Sequence, residues 1–353
     1  MRRKHLFLAG ICAVFLAVLV PVTLLFPQPE VLYEVTFLPA LGGRIPVAPQ
    51  AINDRGQVVG IAEVAQSQWH MFFWDGDRGM LDMGPRAYDP VQINNAGQIA
   101  GVAVDPNGDC HAFLQDPNGV RYVLPAPSGR HVHVQGLNNR GQIVGYHDAR
   151  RSPRRAFVWD RASGMQELAP PNTLESIARG INDAGQVVGY LSVDRTNDRY
   201  AFLWDPNTGM RNLGPVRSLP TAACQINNQG LVVGQFGSAE DRTCLSIWTS
   251  EGGIRRVDSH GAAMYVAGLD DAGRFVARAY RSGFKVLGYD SAGKRTSYLW
   301  DPNDGLREIH HHLGRRDVDD FVAVDMNNNG QIVGLLTLKK QPDPIGVIPN
   351  PIK

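Results

Sequence analysis

The run Ile52-Asn53-Asp54-Arg55-Gly56-Gln57-Val58-Val59-Gly60 recurs as Ile93-Asn94-Asn95-Ala96-Gly97-Gln98-Ile99-Ala100-Gly101. Five further copies begin at Leu137, Ile181, Ile226, Leu269 and Met326, and the spacings from Asn53 to Asn327 are 41, 44, 44, 45, 43 and 57 residues. Self-similarity at this period marks a repeat architecture, because one such unit cannot bury its apolar face alone. Each copy reads as a hairpin. Asn and Asp bond to their own backbone in turns, and Gly supplies φ > 0 before an apolar strand. The recurring Asn and Gly are therefore structural.

A second half-unit follows each of the first six turns, as in Met71-Phe72-Phe73-Trp74, Ala156-Phe157-Val158-Trp159 and Ala201-Phe202-Leu203-Trp204. These β-formers suit a strand buried on both faces. A further turn then appears, clearest in Asp205-Pro206-Asn207-Thr208-Gly209, where Pro presets φ and Gly closes the loop. Four short strands per roughly 44 residues predict one blade of an all-β propeller. The abundance of turn residues, 38 Gly and 23 Pro in 353, agrees with that class.

The seventh turn, at Asn327, has no aromatic half-unit after it, and 341–353 reads as a Pro-rich C-terminal tail. At the other end, Leu32 to Gly43 resembles the Leu-Gly ending of a fourth strand. Pairing it beside the C-terminal hairpin closes the ring and leaves no open edge. The expected architecture is a seven-bladed β-propeller over 30–340, closed by strands from both termini.

His111-Ala112-Phe113, with the Asn-rich turn and the Leu-Gly ending, resembles the HAF-repeat proteins, a family of exported bacterial repeat proteins named for that run. The first position has drifted elsewhere, to Arg155, Tyr200, Cys244 and Thr296. The resemblance spans about 32–338. It implies a β-rich, extracellular repeat and carries no established activity or catalytic residues.

Residues 1–29 read as a cytoplasmic tip and membrane anchor. Arg2, Arg3 and Lys4 precede an uncharged apolar run from Leu6 to Phe26, about the 20 residues that span a bilayer. An uncleaved anchor is favoured over a cleaved signal peptide, since no small-residue cleavage site follows. The expected location is the cell envelope, with the propeller outside the cytoplasm and the membrane contacted only through this segment. Beyond it lie three cysteines, Cys110, Cys224 and Cys244, an odd number that sets no disulfide framework and leaves the pairing of Cys110 open. Of 35 basic residues, the three at the N-terminus stay inside, leaving 32 against 34 acidic ones. That balance argues against nucleic acid as a partner.

In a propeller the innermost strand lines the channel, and here that strand enters the Asn-Gly turn. The position two before the Asn is Ala51, Gln92, Gly136, Gly180, Gln225, Gly268 and Asp325. Gln92, Gln225 and Asp325 are accordingly candidate ligands for a water or small polar molecule. The long unit between Gly273 and Tyr298 inserts Phe284 and Tyr289, which mark a candidate partner surface. His310-His311-His312 would alternate faces on an extended strand and so cannot all meet one ion, while His131 and His133 share a face but lack an assignable third ligand. No metal, cofactor or catalytic residue is assigned, and phosphate-loop, dinucleotide, nucleophile-elbow and zincin motifs are absent. The expected function is a non-catalytic binding or scaffolding module for an envelope protein or polysaccharide. The alternative is an exported glycan hydrolase or lyase, for which Asp89, Asp317, Asp319 and Asp325 are the acids to place.

Overall fold

The computed structural model describes residues 32–43, 47–66, 68–85, 92–104, 110–125, 131–148, 153–193, 199–214, 221–236, 244–249, 253–257, 263–280 and 295–352. Their strands form seven four-stranded antiparallel sheets, the blades of a β-propeller. Blade 1 is made of Val47–Ile52, Val58–Ala65, Gln68–Asp75 and Gly79–Pro85, hydrogen-bonded in chain order, and blades 2 to 6 repeat that plan. The apolar segment at 6–26 lies outside the described residues. Among those described, no helix is long and apolar enough to cross a membrane.

Blade 7 combines both ends of the chain. Val318–Met326, Ile332–Leu338 and Gln341–Pro351 supply three strands, and Tyr33–Phe37 pairs on the outside from Tyr33↔Pro351 to Phe37↔Val347. The N-terminal closing strand is thus where the sequence puts it. The Pro-rich segment is a correction: it is the third strand of the blade, not a tail. Gln331 Nε2 donates to Asn350 Oδ1 at 2.6 Å, just as Gln57 donates to Asp75 and Gln186 to Asp205 at the third-strand ends of their blades. Asn350-Pro351 therefore stands where Asp205-Pro206 stands in blade 4.

The second-strand glycine of the repeat has a steric cause. A Cβ on Gly145 would lie 1.8 Å from the His133 carbonyl oxygen, and one on Gly60 would lie 2.3 Å from that of Ala48 and 2.8 Å from the Phe72 ring. The missing side chain lets the first strand and the facing Phe close in. That Phe then fills the seam to the preceding blade. Phe113 packs with Ala51, Val59 and Met71 of blade 1, and Phe202 with Val144, Ala156 and Val158 of blade 3. Phe72, Phe113, Phe157 and Phe202 are all fully buried.

The Asn turns join neighbouring blades into a belt around the axis. Asn138 Nδ2 donates to its own Gln142 Oε1 at 2.8 Å and to the Asn182 carbonyl of the next blade at 3.0 Å. Asn53, Asn94, Asn182, Asn227 and Asn327 make the same inter-blade bond, the last returning to the Asn53 carbonyl at 2.8 Å. A second ring runs through the following residue. Backbone N–H groups of Asp54, Asn95, Asn139, Asp183, Asn228, Asp271 and Asn328 each donate to the next side-chain Oδ1, and the chain closes from Asn328 to Asp54. The first ring has one exception, at Asp270, whose carboxylate cannot donate and is instead held by Arg274 Nε at 2.7 Å.

Candidate functional site

Inside this belt the first strands carry a recurring β-bulge. Pairing skips from Pro49 to Ala51, Val134 to Gly136, Ala178 to Gly180, Ala223 to Gln225, Val266 to Gly268 and Ala323 to Asp325. A bulge sets two residues against one, so an extra side chain is re-aimed. Here the skipped residues line the channel, joined in four blades by their successors Gly136, Gly180, Gln225 and Asp325. The lining therefore includes Gln50, Gln135, Arg179 and Cys224 as well as the expected Gln92, Gln225 and Asp325. Arg278 reaches the same cavity from the second strand of blade 6, opposite Tyr265.

The cavity has a volume of about 330 Å³. It brings Gln92, Gln225 and Asp325 together, as the sequence row implied, and adds two guanidinium groups. Arg179 lies with its guanidinium carbon 5.5 Å from the centre of the Tyr190 ring. Cys224 is a buried free thiol, raised by burial, with the positive charge of Arg179 opposing that rise. Toward the Asn turns the channel ends in a smaller depression of about 150 Å³, lined by the belt residues Asn53, Asn94 and Asn138 and their counterparts.

Asp325 is held by two backbone N–H donors, Ile52 at 3.1 Å to Oδ2 and Met326 at 2.9 Å to Oδ1. Its side chain is partly buried and lines the channel cavity. Desolvation accordingly dominates over these two bonds and pushes the carboxyl up to about 7. A raised pKa means the folded state binds the proton more tightly than the unfolded chain. The associated stability is fully present below about pH 4 and is lost as pH rises through about 7. Between pH 5 and pH 8 the protein is expected to lose about 2–3 kcal/mol through this group. Urea midpoints at the two pH values should show that loss in the wild type and a flatter profile in Asp325→Asn. An equal slope in both proteins would count against a shifted Asp325.

The other sequence candidates fare differently. Phe284, Tyr289 and Asp89 lie outside the described residues. His133 stacks on Tyr146, ring centres 4.4 Å apart, with Nε2 3.4 Å from Asp148, and His131 is exposed beside it. His310, His311 and His312 are not on an extended strand: Ile309–His312 is a 3-10 turn, so the alternation argument does not apply. Asp319 lies six residues before Asp325 in the first strand of blade 7 and Asp317 just before that strand, a separation well beyond about 10 Å at the rise of a strand even with its two bulges. Neither forms with Asp325 the carboxyl pair about 5–9.5 Å apart that glycoside hydrolysis commonly uses. Sequence reasoning missed Gln50, Gln135 and Arg179 because strict alternation turns them away from the axis. Arg278 breaks a repeat position that is Tyr146 in blade 3 and Tyr190 in blade 4, and that departure was the available signal.

No family model and no curated protein matches the chain. Solved structures match over most of it. Oligogalacturonate lyase in complex with manganese aligns with a TM-score of 0.55 at 12% identity, over 91% of this chain and 97% of that one. The β-propeller domain of the Trilobed protease from Pyrococcus furiosus aligns at 0.54 and 9%, over 85% and 94%. Puromycin hydrolase aligns at 0.56 and 14%, over 88% of this chain and 53% of that one. The chain spans about half the length of the puromycin hydrolase and prolyl endopeptidase chains that it matches. At these identities the likeness is one of fold, and the class it defines is the β-propeller.

Proposed function

We propose that this propeller is a non-catalytic binding module whose channel takes a carboxylate-bearing, hydroxyl-rich ligand of the kind an acidic envelope polysaccharide presents. The observation that carries this reading is the joining of Arg179 and Arg278 with Gln92, Gln135 and Gln225 in one cavity of about 330 Å³. Guanidinium groups match carboxylates in planar two-point contacts, and amides donate to and accept from hydroxyls. A volume at the lower end of ordinary ligand pockets suits one sugar residue. With its carboxyl raised to about 7, Asp325 only partly offsets the two positive charges near neutral pH. The apolar run from Leu6 to Phe26 behind Arg2, Arg3 and Lys4 supports an envelope-anchored location for such a module, as does the resemblance to HAF repeats.

The test is calorimetric titration with galacturonate oligomers against neutral galactose oligomers. Binding is expected for the acidic series alone, with Arg179→Ala and Arg278→Ala each weakening it at least tenfold. Undiminished affinity in both variants, or no preference for the acidic series, would remove the channel from the function. Cleavage products accumulating in the same cell would favour the glycan lyase or hydrolase reading instead.

A further inference from the structure

We propose that Glu308, His310 and His311 form a divalent transition-metal site, suited to Zn²⁺, beside the point where the N-terminal strand closes the ring. This inference is independent of the channel. After the fourth strand of blade 6, Gly305–Glu308, the chain enters the 3-10 turn Ile309–His312. Ile309 and Leu313, 1% and 2% exposed, fix the turn in the core shared with Phe321, Leu336 and Val347. With both ends anchored, the imidazoles of His310 and His311 project beside Glu308.

The donor atoms already stand at ligand spacing. His310 Nδ1 is 3.1 Å from Glu308 Oε1, His311 Nε2 is 3.7 Å from Glu308 Oε2, and the three ligand atoms lie within 4.8 Å of one another. A tetrahedral Zn²⁺ with bonds of about 2.0–2.1 Å separates its ligands by about 3.3 Å, close to the spacing of each imidazole from the carboxylate oxygen nearest it, Oε1 for His310 and Oε2 for His311. Small side-chain adjustments therefore bring the set onto one ion. Two imidazoles and a carboxylate are also the donor types that favour Zn²⁺ over Ca²⁺ or Mg²⁺.

The carboxylate has outer support. Thr296, 6% exposed, donates its hydroxyl to Glu308 Oε1 at 2.8 Å, the kind of second hydrogen bond that orients a ligating carboxylate. Three protein ligands leave a fourth position for water or a partner's side chain. The site also touches the closure, because the His312 carbonyl accepts the Leu32 N–H at 3.0 Å. An ion there holds the turn on which the N-terminal strand begins.

The experiment uses the tag-free full chain, solubilised and stripped with chelator, and titrates it with ZnCl₂ by calorimetry. One equivalent is expected to bind and to raise the melting temperature, and Co²⁺ is expected to give the visible spectrum of a low-coordinate nitrogen-oxygen site. His311→Ala, at an exposed position, should fold normally and abolish binding, while Glu308→Gln should weaken it at least tenfold. His131→Ala should leave binding unchanged. Absence of binding in the wild type, or equal binding in the wild type and His311→Ala, would overturn the assignment, as would loss on His131→Ala.

Discussion

A chain lacking residues 1–37 is expected to melt about 5–10 °C below one lacking residues 1–30, and to aggregate on heating. The shorter deletion leaves intact the compact unit that begins at Val31. The longer one removes the outer strand of blade 7. With it go the buried Tyr33, the partly buried Leu32 and Val35 packed on the same cluster, and the backbone bonds from Leu32 to His312 and from Ile352 to Leu32. Burying one large and two medium apolar side chains contributes about 4–6 kcal/mol in all. The unit from Val31 to Lys353 is large enough that its midpoint changes by only about 1–2 °C per kcal/mol. The freed edge of Gln341–Pro351 would also present unpaired backbone groups to other chains, which is why aggregation should accompany the loss. Scanning calorimetry of the two deletions decides the matter; midpoints within about 3 °C of one another would show that the terminal strand does not close the ring energetically.

Much of this closure can be read in advance, because both the Leu-Gly ending near Leu41-Gly42 and the unfinished unit after Asn327 are departures from a strong repeat. What the pattern hid was the strand between them. Gln341–Pro351 carries four prolines and no Trp, so it fails the aromatic template, yet Asn350 lies 19 residues after Gln331 as Asp205 does after Gln186. Spacing outlasted composition there. The channel was half legible for a related reason. Period-two alternation finds Gln92, Gln225 and Asp325, whereas the bulge that exposes Arg179 and Gln135 is a two-against-one pairing that alternation cannot represent. The histidine triplet departs from alternation for a similar reason, since alternating faces require an extended backbone and the chain turns at Ile309.

The second large effect concerns the belt. Asn138→Ala is expected to cost about 3–5 kcal/mol, because the side chain is only 3% exposed and makes four hydrogen bonds. Its Nδ2 serves Gln142 Oε1 and the Asn182 carbonyl, and its Oδ1 accepts the N–H groups of Arg140 and Gln142. Truncation strands several of these partners away from water, at about 1–3 kcal/mol for each unsatisfied group. Asn207→Ala, on an exposed turn, should change stability by less than about 0.5 kcal/mol. Blade 6 supplies a sharper comparison, since Asp270 and Arg274 stand there in place of the Asn and Gln of blade 3. Burial raises Asp270, and the Arg274 guanidinium opposes that rise from 2.7 Å. Asn138→Asp alone puts a buried carboxylate beside Gln142, with no cation in the position Arg274 occupies. Adding Gln142→Arg restores the blade 6 pairing. Urea denaturation should therefore find the double variant more stable than Asn138→Asp by at least about 1 kcal/mol, a coupling that arises only if the two residues act as a pair. Additive losses would mean that Asp270 is tolerated for reasons outside its contact with Arg274. A loss below about 1 kcal/mol for Asn138→Ala would mean that the seams of buried Phe, and not the belt, hold neighbouring blades together.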